Sequence, residues 1–256
     1  MNLDNVEDVY ALSPMQEGML FHTISEPNSG VFVEQVCCKI NGELDVSAFQ
    51  AAWASVVDHH QALRTIFLWD GLDEPLQIVR QKVDVPWTQL DWTDSKIAEQ
   101  EERLAILLAE DRRSGFDLSV APIMRMTLIH EAVNQWRWIW SFHHLNSDGW
   151  STPIILNDFF TAYIGHVTKT TPRFESNFQY TEYIEWLNQQ DTKSAEEFWR
   201  KKLIGFSSPT QLAVFDESTA ATSAAQHLQQ VTRLPQESSQ ALRTFCLLYT
   251  SPSPRD

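Results

Sequence analysis

The chain has 256 residues, a length typical of one large domain or two small ones. Hydrophobic residues make up 43% of it and charged residues 21%, which is enough apolar side chain to bury a core and excludes disorder as the main state. The formal net charge of −15 argues against general binding to nucleic acid or to an anionic membrane, and three cysteines, two of them adjacent, exclude a disulfide scaffold.

The first half of the sequence predicts helices that alternate with strands. Residues 8–22 show no strand alternation; Ser13 suits the N-cap and Pro14 the first turn of a short amphipathic helix there. Asp45 suits the N-cap of a second helix, because its carboxylate can accept hydrogen bonds from the first turn. Strands are predicted over residues 31–40, 63–68 and 76–79, with a hairpin connection at residues 71–75.

The second half continues this mixed pattern and predicts an α/β fold. Helices are predicted over residues 95–113, 152–164, 180–188, 194–203 and 235–245, and strands over residues 123–130, 135–143 and 226–234. The polar residues 168–177 are the best linker candidate. No apolar run approaches the ~20 residues of a membrane span. The acidic N-terminal segment lacks a signal pattern, so a cytoplasmic location is expected.

The last eleven residues, 246–256, are set apart from the fold. Pro252 and Pro254 end any helix, and the run resembles a translated sequencing-library adapter. We therefore expect a non-native tail on a fragment of a longer protein. A genuine disordered tail is the alternative.

The candidate chemistry lies at the end of the strand over residues 135–143. Because side chains alternate between the two faces of a strand, His143 and His144 are expected to point in opposite directions. Asp148 follows a short loop and can neutralise a cation or fix the loop, and Gly149 permits tight backbone geometry or close approach of a substrate. The tryptophans on one face of this strand are interpreted as core: Trp136, Trp138 and Trp140.

Three interpretations of the histidine pair follow from the residues alone. One histidine can be a general base, because an unperturbed imidazole titrates near pH 6.5. The histidines can also be core residues, with Asp148 as a turn former. Metal ligation is the third interpretation, but adjacent strand residues diverge and no third ligand has typical spacing, so no metal site is predicted.

The run FHHLNSDGWS at residues 142–151 resembles the HHxxxDG signature of the condensation domains of nonribosomal peptide synthetases. Further blocks resemble the family's in the family's order. They are LSPMQEGMLFH at residues 12–22, DHHQALRTIF at residues 58–67, FDLSVAP at residues 116–122 with Met124 and Arg125, and YTEYIEW at residues 180–186. The five ordered blocks run from residue 12 to residue 186, within a resemblance over roughly residues 7–245, which makes the resemblance specific.

The resemblance implies a chloramphenicol acetyltransferase-like two-lobed α/β fold, with the N-lobe complete over residues 1–170 and the C-lobe only begun over residues 171–245. It implies peptide-bond formation between a carrier-tethered acyl or peptidyl donor and an aminoacyl acceptor thioester. Both substrates would arrive on the 4'-phosphopantetheine of carrier domains upstream and downstream, with an adenylation domain in cis or in trans. No directly bound cofactor, nucleic acid or membrane partner is implied.

By the same resemblance, His144 orients the attacking amine and helps to remove its proton, as a general base or mainly as a positioning group. The backbone at Gly149 would help to place the substrates or the developing oxyanion. His143 and Asp148 receive structural roles, and Arg64 is expected to form an ion pair with Asp148. The sequence departs from the family pattern at His59, Gln61 and Asn146, where Arg, Glu and an apolar residue are usual.

Other functions stay open at this point. An epimerisation domain and a stand-alone acyltransferase that uses CoA or carrier thioesters belong to the same superfamily, and a noncatalytic docking module is an alternative from another class. The fragment alone is expected to be inactive, because the site needs walls from both lobes. Its C-terminal third is expected to expose apolar side chains around Phe198, Trp199, Leu203 and Leu242.

Overall fold

The computed structural model describes residues 5–175, 179–208 and 232–249. The chain divides into two compact units, residues 1–192 and residues 193–256. Within the described residues, no helix has both the length and the apolar character needed to cross a membrane. The cytoplasmic location and the lobe boundary at residue 170 stay predictions.

The described part of the chain forms seven strands and seven helices. The strands are β1 (Val6–Ala11), β2 (Val33–Asn41), β3 (Thr65–Leu68), β4 (Leu76–Arg80), β5 (Trp87–Asp91), β6 (Met124–Ala132) and β7 (Gln135–His143). The helices are α1 (Pro14–Ser25), α2 (Val46–His59), α3 (Ile97–Ser114), α4 (Ser151–Thr168), α5 (Tyr180–Asn188), α6 (Thr192–Lys202) and α7 (Gln236–Tyr249). A 3-10 turn over Gln61–Arg64 precedes β3.

Most predicted elements are confirmed, and the differences have physical causes. The sequence predicted no strand before α1, and this prediction was wrong, because β1 pairs with β4. The two strands lie some 70 residues apart, so local alternation does not reveal the pairing. The prediction also missed β5 and placed Leu63 in a strand instead of the 3-10 turn. Helix α7 continues to Tyr249, beyond the predicted end at residue 245. Residues 226–231 of the last predicted strand lie outside the described residues, and residues 232–234 have no regular structure.

Two sheets organise the first unit. A four-stranded sheet has the order β2-β7-β6-β5, in which β5 runs parallel to β6 and the other neighbours are antiparallel. A three-stranded antiparallel sheet has the order β1-β4-β3. Because β7 lies between two hydrogen-bonded neighbours, its carboxyl end, where the histidine pair begins, is held from both sides.

The main core lies between one face of the larger sheet and helices α2 and α4. Trp138 and Trp140 of β7 are buried and pack on Trp53 of α2, with ring centroids 5.4 and 5.1 Å away, and Trp53 stacks on Phe159 of α4 at 4.9 Å. The core interpretation of the strand's tryptophans is confirmed for these two, and Trp136 is partly buried against the same cluster. The opposite face of β7 packs on α3 through Ile139.

Helices α1 and α2 begin where the sequence predicted. The Ser13 hydroxyl accepts a hydrogen bond from the Gln16 backbone N–H, while the Gln16 side chain accepts one from the Ser13 N–H, which forms a capping box. The Asp45 carboxylate accepts a hydrogen bond from the Ala48 N–H at 2.9 Å. Local capping therefore determines where both helices start.

The second unit contributes α7 and all but the first residue of α6, which begins at Thr192. The apolar side chains expected to be exposed here are each more than half exposed: Phe198, Trp199, Leu203 and Leu242. This expectation is confirmed. Residues 250–256 lie outside the described residues, so the adapter-derived tail stays a prediction.

Candidate functional site

The histidine pair diverges at the end of β7. His143, the last residue of β7, pairs with Val33 of β2 and is buried. The next residue, His144, lines an open cavity of about 770 Å³, and its backbone N–H donates to the Phe32 carbonyl at 2.8 Å. The side chains of His143 and His144 therefore point in opposite directions, as strand alternation predicts.

His143 is held as one neutral tautomer by its surroundings. Its Nδ1 atom accepts a hydrogen bond from the Leu145 N–H at 3.2 Å, so the ring proton lies on Nε2. Nε2 lies 3.1 Å from the Thr23 hydroxyl, which in turn donates to the Met19 carbonyl at 2.8 Å. Nε2 is thus the donor to Thr23, and the imidazole ties the end of β7 to helix α1.

Burial lowers the pKa of His143 to about 4, with a smaller contribution from the neighbouring His144. An imidazole with such a pKa is uncharged at neutral pH. A protonated ring could not accept the Leu145 N–H, so the hydrogen bonds and the burial favour the same state.

His144 presents its ring to the cavity that lies between the loop after β7 and helix α1. The apolar walls of this cavity include Met15, Met19 and Phe32. Within the described part of the chain, the buried Nδ1 atom of His144 has no hydrogen-bond partner. The sequence thus places one constrained imidazole in the core and one at a cavity wall.

A buried amide pair holds the segment that follows His144. The Gln16 side-chain amide donates to the Leu145 carbonyl at 3.2 Å, and Gln77 of β4 donates to Gln16 Oε1 at 3.0 Å and to the Ala11 carbonyl at 2.9 Å. Sequence reasoning missed this pair. The available signal was Gln77, a polar residue beside the apolar Ile78 and Val79 of β4.

Asn146, a departure from the family pattern, is also tied down. Its side-chain amide donates to the Thr65 carbonyl at 3.1 Å, while its buried Oδ1 atom has no partner among the described residues. A buried polar group is costly without a partner, and the donor side of this amide has one.

Asp148 caps helix α4. Its exposed carboxylate accepts hydrogen bonds from the backbone N–H groups of Ser151 at 2.8 Å and Trp150 at 3.1 Å, and from the Ser151 hydroxyl at 2.8 Å. The Ser151 backbone N–H is the largest influence that lowers the pKa of Asp148. The carboxylate therefore fixes the loop-to-helix turn.

Gly149 is exposed, its φ lies outside the left-handed region, and an added Cβ would have nothing within 4 Å. The protein's own backbone thus does not require a glycine here. A role in close approach of a substrate stays a prediction.

The expected ion pair between Arg64 and Asp148 is wrong. The buried Arg64 guanidinium lies 2.5 Å from the Glu7 carboxylate and donates to the carbonyls of Val57 and Arg80. Glu7 lies on β1, the strand that the sequence did not predict, and the Asp148 carboxylate is engaged by the start of α4. Arg64 therefore joins α2 to the smaller sheet and does not bind the signature loop.

A second cavity of about 660 Å³ adjoins the first. The two share wall residues Ala62, Asn146, Ser151 and Tyr180. Tyr180 of α5 lies against the start of α1, with its hydroxyl 3.4 Å from Ser13 Oγ. Helix α5 thus belongs to the walls of the site.

The site thus places an imidazole just after a strand end, at the wall of an open and largely apolar cavity on an α/β scaffold. The Condensation domain family model matches residues 6–251 of this chain. The chain belongs to the condensation domain family, and the resemblance found in its motifs is confirmed.

Relatives in nonribosomal peptide synthesis are similar over most of the chain. Two of them are large proteins of the linear gramicidin synthase of Brevibacillus parabrevis. The first is 40% identical over 240 residues, which is 94% of this chain and 5% of that protein. The second is 43% identical over 210 residues, which is 82% of this chain and 3% of that protein. The chain therefore spans a small part of these curated relatives.

A solved structure shows the same fold. The starter condensation domain of rhizomide synthetase RzmA, in a variant complexed with C8-CoA, superposes with a TM-score of 0.70 at 25% identity, over 81% of this chain and 48% of that chain. The fold is the chloramphenicol acetyltransferase-like α/β fold, as the resemblance implied. This chain aligns with about half of that domain.

Proposed function

We propose that this chain contributes the histidine-bearing part of a condensation domain that forms peptide bonds in nonribosomal peptide synthesis. The donor would be an acyl or peptidyl thioester and the acceptor an aminoacyl thioester, each on the 4'-phosphopantetheine of a carrier domain. The observation that carries the proposal is the placement of His144 at the wall of an open cavity beside a buried His143.

In the proposed reaction, the acceptor amine attacks the thioester carbonyl carbon and a C–N bond forms. His144 orients the amine and accepts its proton, the C–S bond breaks, and the leaving thiolate takes up a proton. Two tethered substrates in one cavity supply much of the rate enhancement through proximity. The backbone at Gly149 is proposed to help place the substrates or the developing oxyanion. His143 and the Asp148 cap hold the segment on either side of His144.

The proposed partners are carrier domains upstream and downstream and an adenylation domain in cis or in trans. The similarity to parts of much longer synthases supports them. The phosphopantetheine arms would belong to the carriers, and the chain itself would hold no cofactor. We retain residues 1–170 as the N-lobe, 171–245 as the linker and start of the C-lobe, and 246–256 as a non-native tail.

An acyltransferase that takes its donor from CoA is the second candidate. One observation favours it: the similar RzmA domain was solved with C8-CoA. Supplying the same acyl group on CoA and on a carrier domain separates the two candidates, because only the condensation domain would require the carrier. Epimerisation or a noncatalytic docking role would produce no condensed product from either donor.

The test uses a chain completed to a full condensation domain, with both loaded carriers, beside residues 1–256 alone. We expect the completed domain to form dipeptide and the fragment to form none. His144→Ala should reduce product formation by about 10²-fold, the low end for loss of acid–base catalysis. His22→Ala, at another wall position of the same cavity, is the matched control. Unchanged turnover in His144→Ala would refute the assignment.

A further inference from the structure

Outside the signature loop, three potential metal ligands meet where α2 ends. His59 is the last residue of α2, His60 follows it, and Asp158 projects from α4. One ligand atom from each lies within 4.8 Å of the others. The His60 Nε2 and Asp158 Oδ2 atoms are 2.9 Å apart, and the two imidazole centroids are separated by 4.9 Å.

A hydrogen bond from one ring nitrogen of His59 leaves its other nitrogen suited to bind a metal. Its Nε2 atom lies 3.2 Å from the Glu175 carbonyl oxygen, which can only accept a hydrogen bond. Nε2 therefore carries a proton, and in the neutral tautomer with this proton Nδ1 keeps its lone pair. A metal-binding histidine commonly donates its other ring N–H to a carbonyl in this way, which fixes the tautomer and the ring orientation.

The electrostatics of the cluster also favour a cation. Asp158 is buried, with 6% of its surface exposed, and its described hydrogen bond is to His60. A buried carboxylate is costly without a compensating charge, and a divalent cation would supply it.

We propose that His59, His60 and Asp158 form a binding site for a divalent cation of the Zn²⁺ class. Two imidazoles and one carboxylate are a donor set that zinc accepts, and three protein ligands leave a fourth position for water. His59 and His60 line the 660 Å³ cavity, which gives water and the ion access. Ligand atoms on a zinc tetrahedron are about 3.4 Å apart, as follows from Zn–N distances of about 2.0–2.1 Å. The three ligand atoms, which lie within 4.8 Å of one another, would therefore have to draw closer together when the ion binds.

This site goes beyond the condensation reaction and departs from the expectation that the chain has no metal site. The three ligands come from the end of α2 and the middle of α4, so an ion would join the two helices that cover the tryptophan core. His59 and Asp158 are 99 positions apart in sequence, so only the packing of α2 on α4 brings them together.

The test uses the 256-residue chain purified without a histidine tag and stripped with a chelator. Titration with Co²⁺ should give one equivalent of a visible d–d band, and Zn²⁺ should abolish it by displacement. His59→Gln and Asp158→Asn should each weaken Zn²⁺ binding at least tenfold. His130→Gln, at a partly exposed histidine on β6, is the matched control and should bind as the unmodified chain does.

A second measurement separates loss of Zn²⁺ binding from poor folding of a variant. Zn²⁺ should raise the Tm of the unmodified chain and of His130→Gln, and leave that of His59→Gln unchanged, because only an ion bound to the folded state stabilises it. Absence of a displaceable Co²⁺ band, or equal Zn²⁺ affinity in His59→Gln and the unmodified chain, would overturn the proposal. Neither readout depends on peptide-bond formation, so failure of the metal site leaves the proposed function untouched.

Discussion

Protonation of His143 is predicted to destabilise the first unit below neutral pH. In the folded chain burial holds the His143 pKa at about 4, against an ordinary value of 6.5 for an exposed imidazole. Above pH 6.5 the ring is neutral in both states and contributes no pH dependence. As the pH falls from 6.5 towards 4, the unfolded state gains a proton that the folded state does not, so stability decreases. The difference of two to three pKa units corresponds to roughly 3 kcal/mol at 1.36 kcal/mol per unit, and the loss levels off below pH 4.

The assay is urea unfolding monitored by the fluorescence of the buried tryptophans, at several pH values between 7.5 and 4. His143→Gln cannot titrate in this range, so it should lose less stability than the unmodified chain as the pH falls, by up to roughly 3 kcal/mol. At pH 7.5 the variant should be the less stable, because the hydrogen bonds of His143 to Leu145 and Thr23 are altered.

His22→Gln is the matched control, since His22 is an exposed histidine and should keep the pH dependence of the unmodified chain. Parallel stability curves for His143→Gln and the unmodified chain would refute the reasoning. A direct titration of His143 by NMR that gave a pKa near 6.5 would do the same.

Substitutions at three further positions test the packing around the site. Arg64→Met should lower the free energy of unfolding in urea by about 3 kcal/mol. This is the low end for breaking a buried ion pair from one side, because the Glu7 side chain is 34% exposed. A change below about 1 kcal/mol would show that the pair with Glu7 contributes little. Asp148→Ala should lower the stability by about 1 kcal/mol, seen as a lower Tm, because the hydrogen bond from the Ser151 N–H is lost. Asp148→Asn should keep most of this stability, because an amide oxygen can still accept that hydrogen bond. Gln77→Leu should cost about 1–3 kcal/mol, because it leaves buried amide groups without a partner. In the completed domain, Gln77→Leu should also lower kcat while the acceptor KM stays similar, and an unchanged kcat would mean that Gln77 does not position the segment after His144.

Much of the fold was determined by local sequence. The cap residues Ser13 and Asp45 and the apolar run of β7 specify where elements begin and end through interactions over a few residues. The divergence of His143 and His144 follows from the two-residue period of a strand and needs no tertiary information. The ordered motif blocks were sufficient to indicate the family.

Pairings between distant segments were decided by the tertiary structure alone. Strand β1 carries two acids and no strong alternation, and it forms because β4 offers it a hydrogen-bonding edge; this pairing gives Arg64 a carboxylate other than the one expected. The contact of Gln16 with Gln77 likewise joins segments 61 residues apart.

The role of a polar side chain depends on which groups surround it once the chain is packed. Asp148 has helix N–H groups within reach and therefore caps α4 instead of pairing with an arginine. His60 and Asp158 are 98 positions apart in sequence, and they meet because α2 packs on α4. Local propensity specified the helices and strands of this protein, but its buried charges and hydrogen bonds were assigned by long-range packing, since a desolvated polar group must bind whichever partner the fold brings to it.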